Sequence, residues 1–170
     1  EAKLKGFGYD PGTWDQDVAN KLQSQKLLIK LDWNLNEKNT LSLRHSYTKN
    51  ISESPGRSTL QRINFSNSGV YFPSTTNSTA LELNTRIASN KSNNLIIGYT
   101  SVNDDRGPLG DAFPYISIGG NLNAGSEQFS TGNVLTQNIL TITDNFDLYK
   151  GKHHFTFGTH NEYYDINNVF

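Results

Sequence analysis

The sequence predicts an all-β protein: an antiparallel meander of about six strands arranged in three hairpins. Apolar residues recur at every second position over runs of about ten residues, which places them on one face of each strand. Three short polar turns alternate with long loops that are rich in Ser, Asn and Thr. Short connections at one end of the strands and long ones at the other are typical of a transmembrane β-barrel.

The first hairpin, residues 26–49, shows the alternation most clearly. In its first run one set of alternate residues is wholly apolar, and the other set contains a single apolar residue. The apolar set is Leu27, Ile29, Leu31, Trp33 and Leu35. After a turn at 36–39, the same alternation continues through Leu41 and Leu43 to Tyr47. We therefore expect one face of this hairpin to contact lipid and the other to contact water.

Two further hairpins are predicted at 79–103 and 134–170, with turns at 90–93 and 150–152. The predicted loops are 1–25, 50–78 and 104–133. Loops of nearly thirty residues are uncommon in compact soluble domains, and here they occupy alternate connections only. The long loops are therefore predicted to be extracellular and the short turns periplasmic. The loop at 1–25 has no apolar period and is predicted to expose aromatic residues such as Tyr9 and Trp14.

Aromatic residues within the strands lie mostly near strand ends or turns. They are Trp33, Tyr47, Tyr99, Phe146, Tyr149, Phe155 and Tyr163. This placement fits the aromatic girdles at the two membrane interfaces of a barrel. The preference of aromatic residues for strands would also place them there.

The composition limits the class of protein. Hydrophobic residues make up 34% of the chain and the mean hydropathy is -0.60, which fits a barrel with a polar lumen or a polar soluble β protein. No aliphatic run approaches the roughly 20 residues of a transmembrane helix. The net charge of -1 provides no field to attract nucleic acid. The absence of cysteine excludes disulfides and thiolate metal sites.

Three segments, in order along the chain, resemble the barrel of TonB-dependent outer-membrane transporters, especially the Oar-like members found in Bacteroidetes. The segments are KLLIKLDWNLNEKNTLSLRHSYTK at 26–49, RIASNKSNNLIIGYTSVNDDRGPLGDAFP at 86–114 and GKHHFTFGTHNEYYDINNVF at 151–170. The resemblance implies a barrel of about 22 strands that is filled by a plug domain. It also implies uptake that is energised from the inner membrane through TonB.

Six strands are too few for a closed barrel, because the smallest single-chain outer-membrane barrels have about eight strands. An open sheet in lipid would leave two edges of unpaired backbone groups, each costing several kcal/mol. We therefore expect residues 1–170 to be part of a larger barrel domain in the outer membrane of a Gram-negative bacterium. The expected partners are outer-membrane lipid, the TonB complex through a plug domain elsewhere in the parent protein, and an unidentified small ligand, oligosaccharide or peptide.

Five charged residues or histidines of the strands are predicted to face the lumen, because a charge on the lipid face would cost about 2–4 kcal/mol at mid-bilayer. They are Arg44, Glu82, Arg86, His160 and Glu162. They could contact a ligand or the plug, or form a ladder of hydrated ion pairs across neighbouring strands.

The sequence predicts neither an enzyme nor a cofactor or metal site. Ser and His residues are frequent, but no nucleophile elbow and no ordered Ser/His/Asp set is present. The pair His160 and Glu162 lacks a third metal ligand. Two other functions remain open: a secreted soluble β-sandwich that binds a glycan or a protein, which needs two apolar faces packed together, and a passive porin without a plug.

Overall fold

A computed structural model describes residues 1–170. It contains α1 (Ala2–Gly6), β1 (Lys21–Asn36), β2 (Asn39–Ser54), β3 (Ile63–Asn64), a 3-10 helix (Ser66–Ser68), β4 (Val70–Ala88), β5 (Lys91–Pro108), β6 (Ile116–Ile118), β7 (Leu122–Ala124), β8 (Asn133–Lys150) and β9 (His153–Val169). The six long strands form one antiparallel sheet in the order β1-β2-β4-β5-β8-β9, which we call the wall. The predicted fold class, a six-stranded meander of three hairpins, is confirmed. No helix in the structure has the length and apolarity needed to cross a membrane.

The strands of the wall are longer than predicted. They contain 16 to 19 residues, or roughly 53–63 Å at 3.3 Å per residue. The predicted loops at 50–78 and 104–133 are therefore too long, because β2 continues to Ser54, β4 begins at Val70 and β5 continues to Pro108. These added segments continue the ladder without an apolar alternation: most of their residues are polar, and Val70, Tyr71 and Phe72 at the start of β4 are consecutive.

The turns between paired strands contain two residues each. The second one lies at Ser89 and Asn90, whereas the sequence predicted 90–93. The prediction was wrong because Lys91 and Asn93, although typical of turns, pair in the ladder with Leu148 and Phe146 of β8. The Asn90 side chain donates a hydrogen bond to the Tyr149 carbonyl at 3.1 Å, which ties this turn to the next hairpin.

One face of the wall is apolar and uncovered. Residues directly opposite each other in a sheet lie on the same face, and one such row joins Leu31, Leu43, Leu81, Ile97 and Ile142 across five strands. Leu31 is 61% exposed and Leu43 is 41% exposed. A β-sandwich would cover this face with a second sheet. Residues 1–170 form no such layer on the wall, which disagrees with the soluble β-sandwich.

The segments before β1, between β2 and β4, and between β5 and β8 pack together at one end of the wall. We call residues 1–20, 55–69 and 109–132 the loop cap. It contains a small sheet in the order β3-β7-β6. It also contains the apolar residues that are buried in this chain, which are Tyr9, Phe65 and Ala124. The hydrophobic core therefore lies in the cap and not in the wall.

The prediction that Tyr9 is exposed was wrong. Its side chain is 1% exposed and its ring stacks on Phe113 with ring centroids 4.5 Å apart. Backbone hydrogen bonds hold the neighbouring segment against the second loop, from Ser66 N–H to the Thr13 carbonyl at 2.7 Å and from Asn67 N–H to the Pro11 carbonyl at 3.1 Å. Contacts between residues so far apart in the chain leave no local pattern in the sequence.

The wall is an open sheet. β1 pairs only with β2, and β9 pairs only with β8. In a bilayer the free backbone groups along both edges would need further strands as partners. We call the end of the wall that carries the two-residue turns the turn end. The opposite end, which carries the loop cap, is the loop end.

Candidate functional site

The five candidate residues lie on the polar face of the wall, opposite the apolar rows. Lys30, Arg44, Ala80, Gly98, Thr141 and Glu162 form one row of this face. The next row toward the turn end contains Asp32, Ser42, Glu82, Ile96, Thr143 and His160. Arg86 lies closer still to the turns, where it pairs with Ser92. These residues share a face because successive side chains of a strand point to opposite faces of the sheet.

The structure divides the candidates into two groups. Arg44, Glu82 and Arg86 lie on β2 and β4, whereas His160 and Glu162 lie on β9. Three strand spacings separate β4 from β9, which is about 14 Å at roughly 4.8 Å per spacing. The five side chains therefore do not form one compact site.

The carboxylate of Glu82 is bound by amides. Its Oε1 atom accepts hydrogen bonds from Asn94 Nδ2 at 2.7 Å and from Asn84 Nδ2 at 3.0 Å. Asn94 Nδ2 also lies 2.8 Å from Asn84 Oδ1. This network fixes three polar side chains on adjacent strands without a cation, and it leaves a hydrated surface of amide groups.

The charged candidates do not form a ladder of ion pairs, so that alternative is wrong. Arg44 and Arg86 form no salt bridge. The one ion pair among the five joins His160 Nε2 and Glu162 Oε1 along the same strand, at 3.2 Å. Both guanidinium groups are therefore available to an anionic group from a ligand or from another part of the barrel.

Hydrogen bonds hold the histidine and the glutamate of β9 in place. His160 Nδ1 lies 2.7 Å from the hydroxyl of Thr143 on the neighbouring strand. The hydroxyl of Tyr164 donates to the second carboxylate oxygen of Glu162. No group of three or more potential metal ligands is assembled in the structure. The arrangement suits hydrogen bonding to a ligand better than metal coordination.

The sequence analysis did not identify two features of the polar face. Asn84, Asn94 and Asn145 lie directly opposite one another and form a row of amides. Ala80 and Gly98 are also directly opposite and form a shallow trough, because neither has a long side chain. Counting residues from the turns would not have aligned them, because a bulge between Arg86 and Ala88 shifts the register of β4 against β5, and β8 follows β5 only after the long segment of the cap.

A groove of about 450 Å³ lies at the turn end of the polar face. Its lining contains three cations, Lys38, Arg86 and Lys91, none of which forms a salt bridge. It also contains Glu37 and Asp147. Asp147 is already hydrogen-bonded by His154 and Thr156 outside the groove lining, at 2.7 and 2.6 Å. The groove therefore presents a net positive charge to a partner.

A second groove of about 390 Å³ lies between the loop cap and the wall. Tyr71, Pro55 and Leu109 give it apolar surface, and Lys21 and Glu53 form a salt bridge at 3.2 Å across two strands at its edge. Tyr71 lies in β4, in a segment that the sequence predicted to be loop. Mixed apolar and polar surfaces of this kind can hold a small amphipathic group.

Comparison with known proteins identifies the architecture. The model of the family described as outer membrane beta barrel domain matches residues 10–170, which is all but the first nine residues. No curated protein and no solved structure is significantly similar to the chain. The apolar face of the wall is accordingly the surface that contacts membrane lipid. The chain belongs to the outer membrane beta barrel domain family and is part of a barrel protein in the outer membrane of a Gram-negative bacterium.

Proposed function

We propose that the wall belongs to a TonB-dependent transporter of the Oar-like, Bacteroidetes type, which takes up a ligand with energy relayed from the inner membrane. The observation that best supports this is the length of the strands. About 9–11 residues are enough to cross a bilayer, and those of the wall contain 16 to 19. The polar face therefore continues beyond the membrane toward the loop cap, as an outer vestibule for ligand capture.

The chemistry of the polar face supports a polar ligand, either a small molecule, an oligosaccharide or a peptide. Its surface consists largely of amide and hydroxyl groups, which hydrogen-bond to sugars and peptide groups without attracting ions. Arg44 and Glu162 lie in the same row on opposite sides of the trough at Ala80 and Gly98, and Lys30 lies beyond Arg44. A ligand in the trough would have a cationic group on one side and an anionic group on the other.

The groove at the turn end supports a plug domain as the internal partner. Lys38, Arg86 and Lys91 would bind carboxylates of a plug located elsewhere in the parent protein, and TonB would act on that plug. In this proposal the chain itself performs no catalysis and needs no cofactor. Its residues bind the ligand and retain the plug.

Conductance of the intact barrel protein in planar bilayers tests this function with K⁺ and Cl⁻ as probes. A plugged transporter is expected to show almost no current in KCl, and to open when moderate urea unfolds the plug. The double variant Lys38→Ala, Arg86→Ala is expected to open at a lower urea concentration, because it loses two cationic contacts with the plug. The matched control is Lys152→Ala, in a turn but outside the groove lining.

Steady open channels in the absence of urea would contradict the proposal and support a passive porin. Energisation is tested separately by formaldehyde crosslinking in living cells. We expect an adduct between the barrel protein and TonB that increases when the growth medium contains the transported nutrients. If the channel is closed but no TonB adduct forms, the plug is retained as proposed and the energy source is wrong.

A further inference from the structure

A small polar cavity lies in the loop cap, apart from the two grooves described above. It has a volume of about 240 Å³, and its lining includes Asn64, Tyr115, Asn123 and Glu127, which we call the cap pocket. Asn64 and Asn123 are paired between β3 and β7 of the small sheet, whereas Tyr115 precedes β6 and Glu127 follows β7. Every residue of the lining belongs to the loop cap, so the pocket does not involve the free edges of the wall.

The buried amide of the cap pocket lacks a donor. Asn123 is 8% exposed, and its Nδ2 atom donates a hydrogen bond to Asn64 Oδ1 at 2.9 Å. Asn64 Nδ2 in turn donates to the Arg57 carbonyl at 2.6 Å, which fixes the orientation of both amides. The side-chain oxygen of Asn123 is left buried without a hydrogen-bond partner. Such an acceptor is unfavourable unless a donor from outside the chain reaches it.

The carboxylate of Glu127 has no cationic partner. This half-buried side chain is held by two hydrogen bonds, from the Phe129 N–H to Oε1 at 3.1 Å and from the hydroxyl of the fully buried Ser130 to Oε2. It forms no salt bridge, and no lysine or arginine lines the pocket. The guanidinium of Arg57, whose carbonyl accepts from the pocket, donates instead to Asn20 at 3.2 Å. The pocket therefore presents a negative charge that this chain does not neutralise.

We propose that the cap pocket binds the primary ammonium group of a small ligand. An ammonium group has three N–H donors and no acceptor, which matches the carboxylate of Glu127 and the unpaired oxygen of Asn123. Hydrogen bonds between an ammonium group and a carboxylate are among the stronger ones in proteins. Tyr115 is 41% exposed, and the face of its ring attracts a cation.

Charge and size exclude other ligand groups from the cap pocket. An anionic group would be repelled by Glu127, and a neutral group would leave its charge unpaired. The volume is below that of pockets that enclose a whole drug-sized molecule, so the pocket holds the end of a ligand. The ammonium group can belong to the amino terminus of a peptide or to an amino sugar. As a capture site for cargo the pocket rests on the proposed uptake function, whereas the binding itself does not require transport.

Saturation-transfer difference NMR on the intact barrel protein in a nonionic detergent tests the proposal with two amines as probes. They are triglycine amide and glucosamine, each compared with its N-acetylated form at about pH 6.5, where the amines are protonated. We expect acetylation to weaken binding by about tenfold or more. Binding of one amine alone identifies the source of the ammonium group as a peptide or an amino sugar. If neither amine bound, or if acetylation changed neither Kd, the proposal would be overturned.

Substitutions in the cap test whether this pocket is the binding site. Glu127→Gln keeps the shape of the side chain and removes its charge, and the Kd of the bound amine is expected to rise about tenfold. Tyr115→Leu removes the ring, with an expected rise of about threefold. The matched control is Asp17→Asn, which removes the same charge from an exposed residue of the cap outside the pocket lining. Its Kd should equal that of the wild type.

An unchanged Kd in Glu127→Gln, or an equal rise in Asp17→Asn, would overturn the proposal. If hydrogen exchange shows that Glu127→Gln disturbs the cap, Tyr115→Leu decides the outcome, because its side chain is partly exposed and holds no other residue in place by a hydrogen bond. The bilayer measurement keeps the two proposals apart. Amine binding by a steadily open channel would contradict only the plugged transporter, and a closed channel that binds no amine would contradict only the ammonium site.

Discussion

The wall and the loop cap treat apolar side chains in opposite ways. In the wall, Leu31, Leu43 and Leu81 stay exposed on a single-layered sheet. In the cap, Tyr9 and Phe65 are almost completely buried. The difference shows that the chain is built for two solvents. The cap excludes water from a small core, whereas the wall leaves its apolar face to lipid and relies on backbone pairing between strands.

The wall and the cap are also stabilised by different kinds of hydrogen bond. Of 109 backbone hydrogen bonds, 90 lie within regular elements, and the long strands of the wall provide most of these elements. The cap depends more on side chains, such as Arg57, which donates to Asn20 at 3.2 Å, and Asn123, which donates to Asn64 at 2.9 Å. We therefore expect the cap to open locally while the wall stays paired.

Removing the largest buried side chain of the cap should give the largest effect, a loss of stability in the cap that leaves the wall unchanged. Tyr9→Ala deletes a ring that is 1% exposed and stacked on Phe113, and we expect it to destabilise the cap by about 3–5 kcal/mol. Hydrogen exchange of the intact barrel protein should accelerate in segments 1–20, 55–69 and 109–132 and remain slow in the wall.

The matched control is Trp14→Ala, because Trp14 is 44% exposed and also lies in the first segment of the cap. Its effect on exchange should be much smaller. If Tyr9→Ala instead accelerated exchange throughout the strands, the cap and the wall would be one cooperative unit, and the distinction between them would be lost.

A charge on the apolar face should harm the wall and spare the cap. Leu81→Arg places a guanidinium between Leu43 and Ile97, and the expected loss of stability in lipid vesicles is about 2–4 kcal/mol. Urea titration of the refolded barrel gives the unfolding free energy. The control Ser78→Arg lies three residues away on the polar face, opposite Ser46 and Thr100. Equal losses for both variants would mean that the apolar face does not contact lipid.

The wall was largely predictable from sequence because its faces follow from a local rule. A period of two assigns Leu41 and Leu43 to one face and Arg44 and Glu82 to the other, whatever the rest of the chain does. That rule fails where the apolar alternation is lost, and therefore the ends of β2, β4 and β5 nearest the cap were assigned to loops. It also hid Asp144, which occupies an apolar position between two strong apolar residues.

The loop cap could not be predicted because its contacts join distant segments. Ile63 donates a backbone hydrogen bond to Asn121 at 2.7 Å, and the Ser58 hydroxyl donates to the Trp14 carbonyl at 2.7 Å. Neither pairing is signalled by a residue pattern within one segment. The candidate site was predicted in part for the same reason: the face of each residue was local information, whereas the separation of β4 from β9 depends on strand order.

A smaller effect is expected at the tight turn between β6 and β7, where the cap uses a backbone conformation that suits glycine. Gly119 has φ +59°, and a Cβ there would meet no atom within 4 Å. Gly119→Ala should therefore cost only the backbone strain, about 1–2 kcal/mol, measured by hydrogen exchange in the cap. Gly6→Ala is the control, since Gly6 also lies in the cap and has open space but no positive φ. A loss of similar size at Gly6 would show that strain is not the cause.

The smallest effect at neutral pH is expected from the Tyr9 hydroxyl. Burial raises the pKa of the Tyr9 phenol above its usual value, and the carboxylates of Asp10 and Asp111 add to this shift. The folded cap therefore favours the neutral phenol. Its contribution to stability is complete below the unfolded pKa, near pH 10, and is lost as the pH rises through the higher folded pKa. Protease resistance of the cap should accordingly fall in strongly alkaline solution.

Tyr9→Phe separates this titration from general alkaline damage. The hydroxyl is buried without a hydrogen-bond partner, so its removal should change stability at pH 7 by no more than about 1 kcal/mol. The variant should keep its protease resistance to a higher pH than the wild type, because phenylalanine has no proton to lose. It should also titrate one tyrosine fewer in the tyrosinate absorbance titration, and the missing step should lie above the usual tyrosine pKa. If the two proteins had identical pH profiles, the loss of protease resistance at high pH would not come from the ionisation of Tyr9.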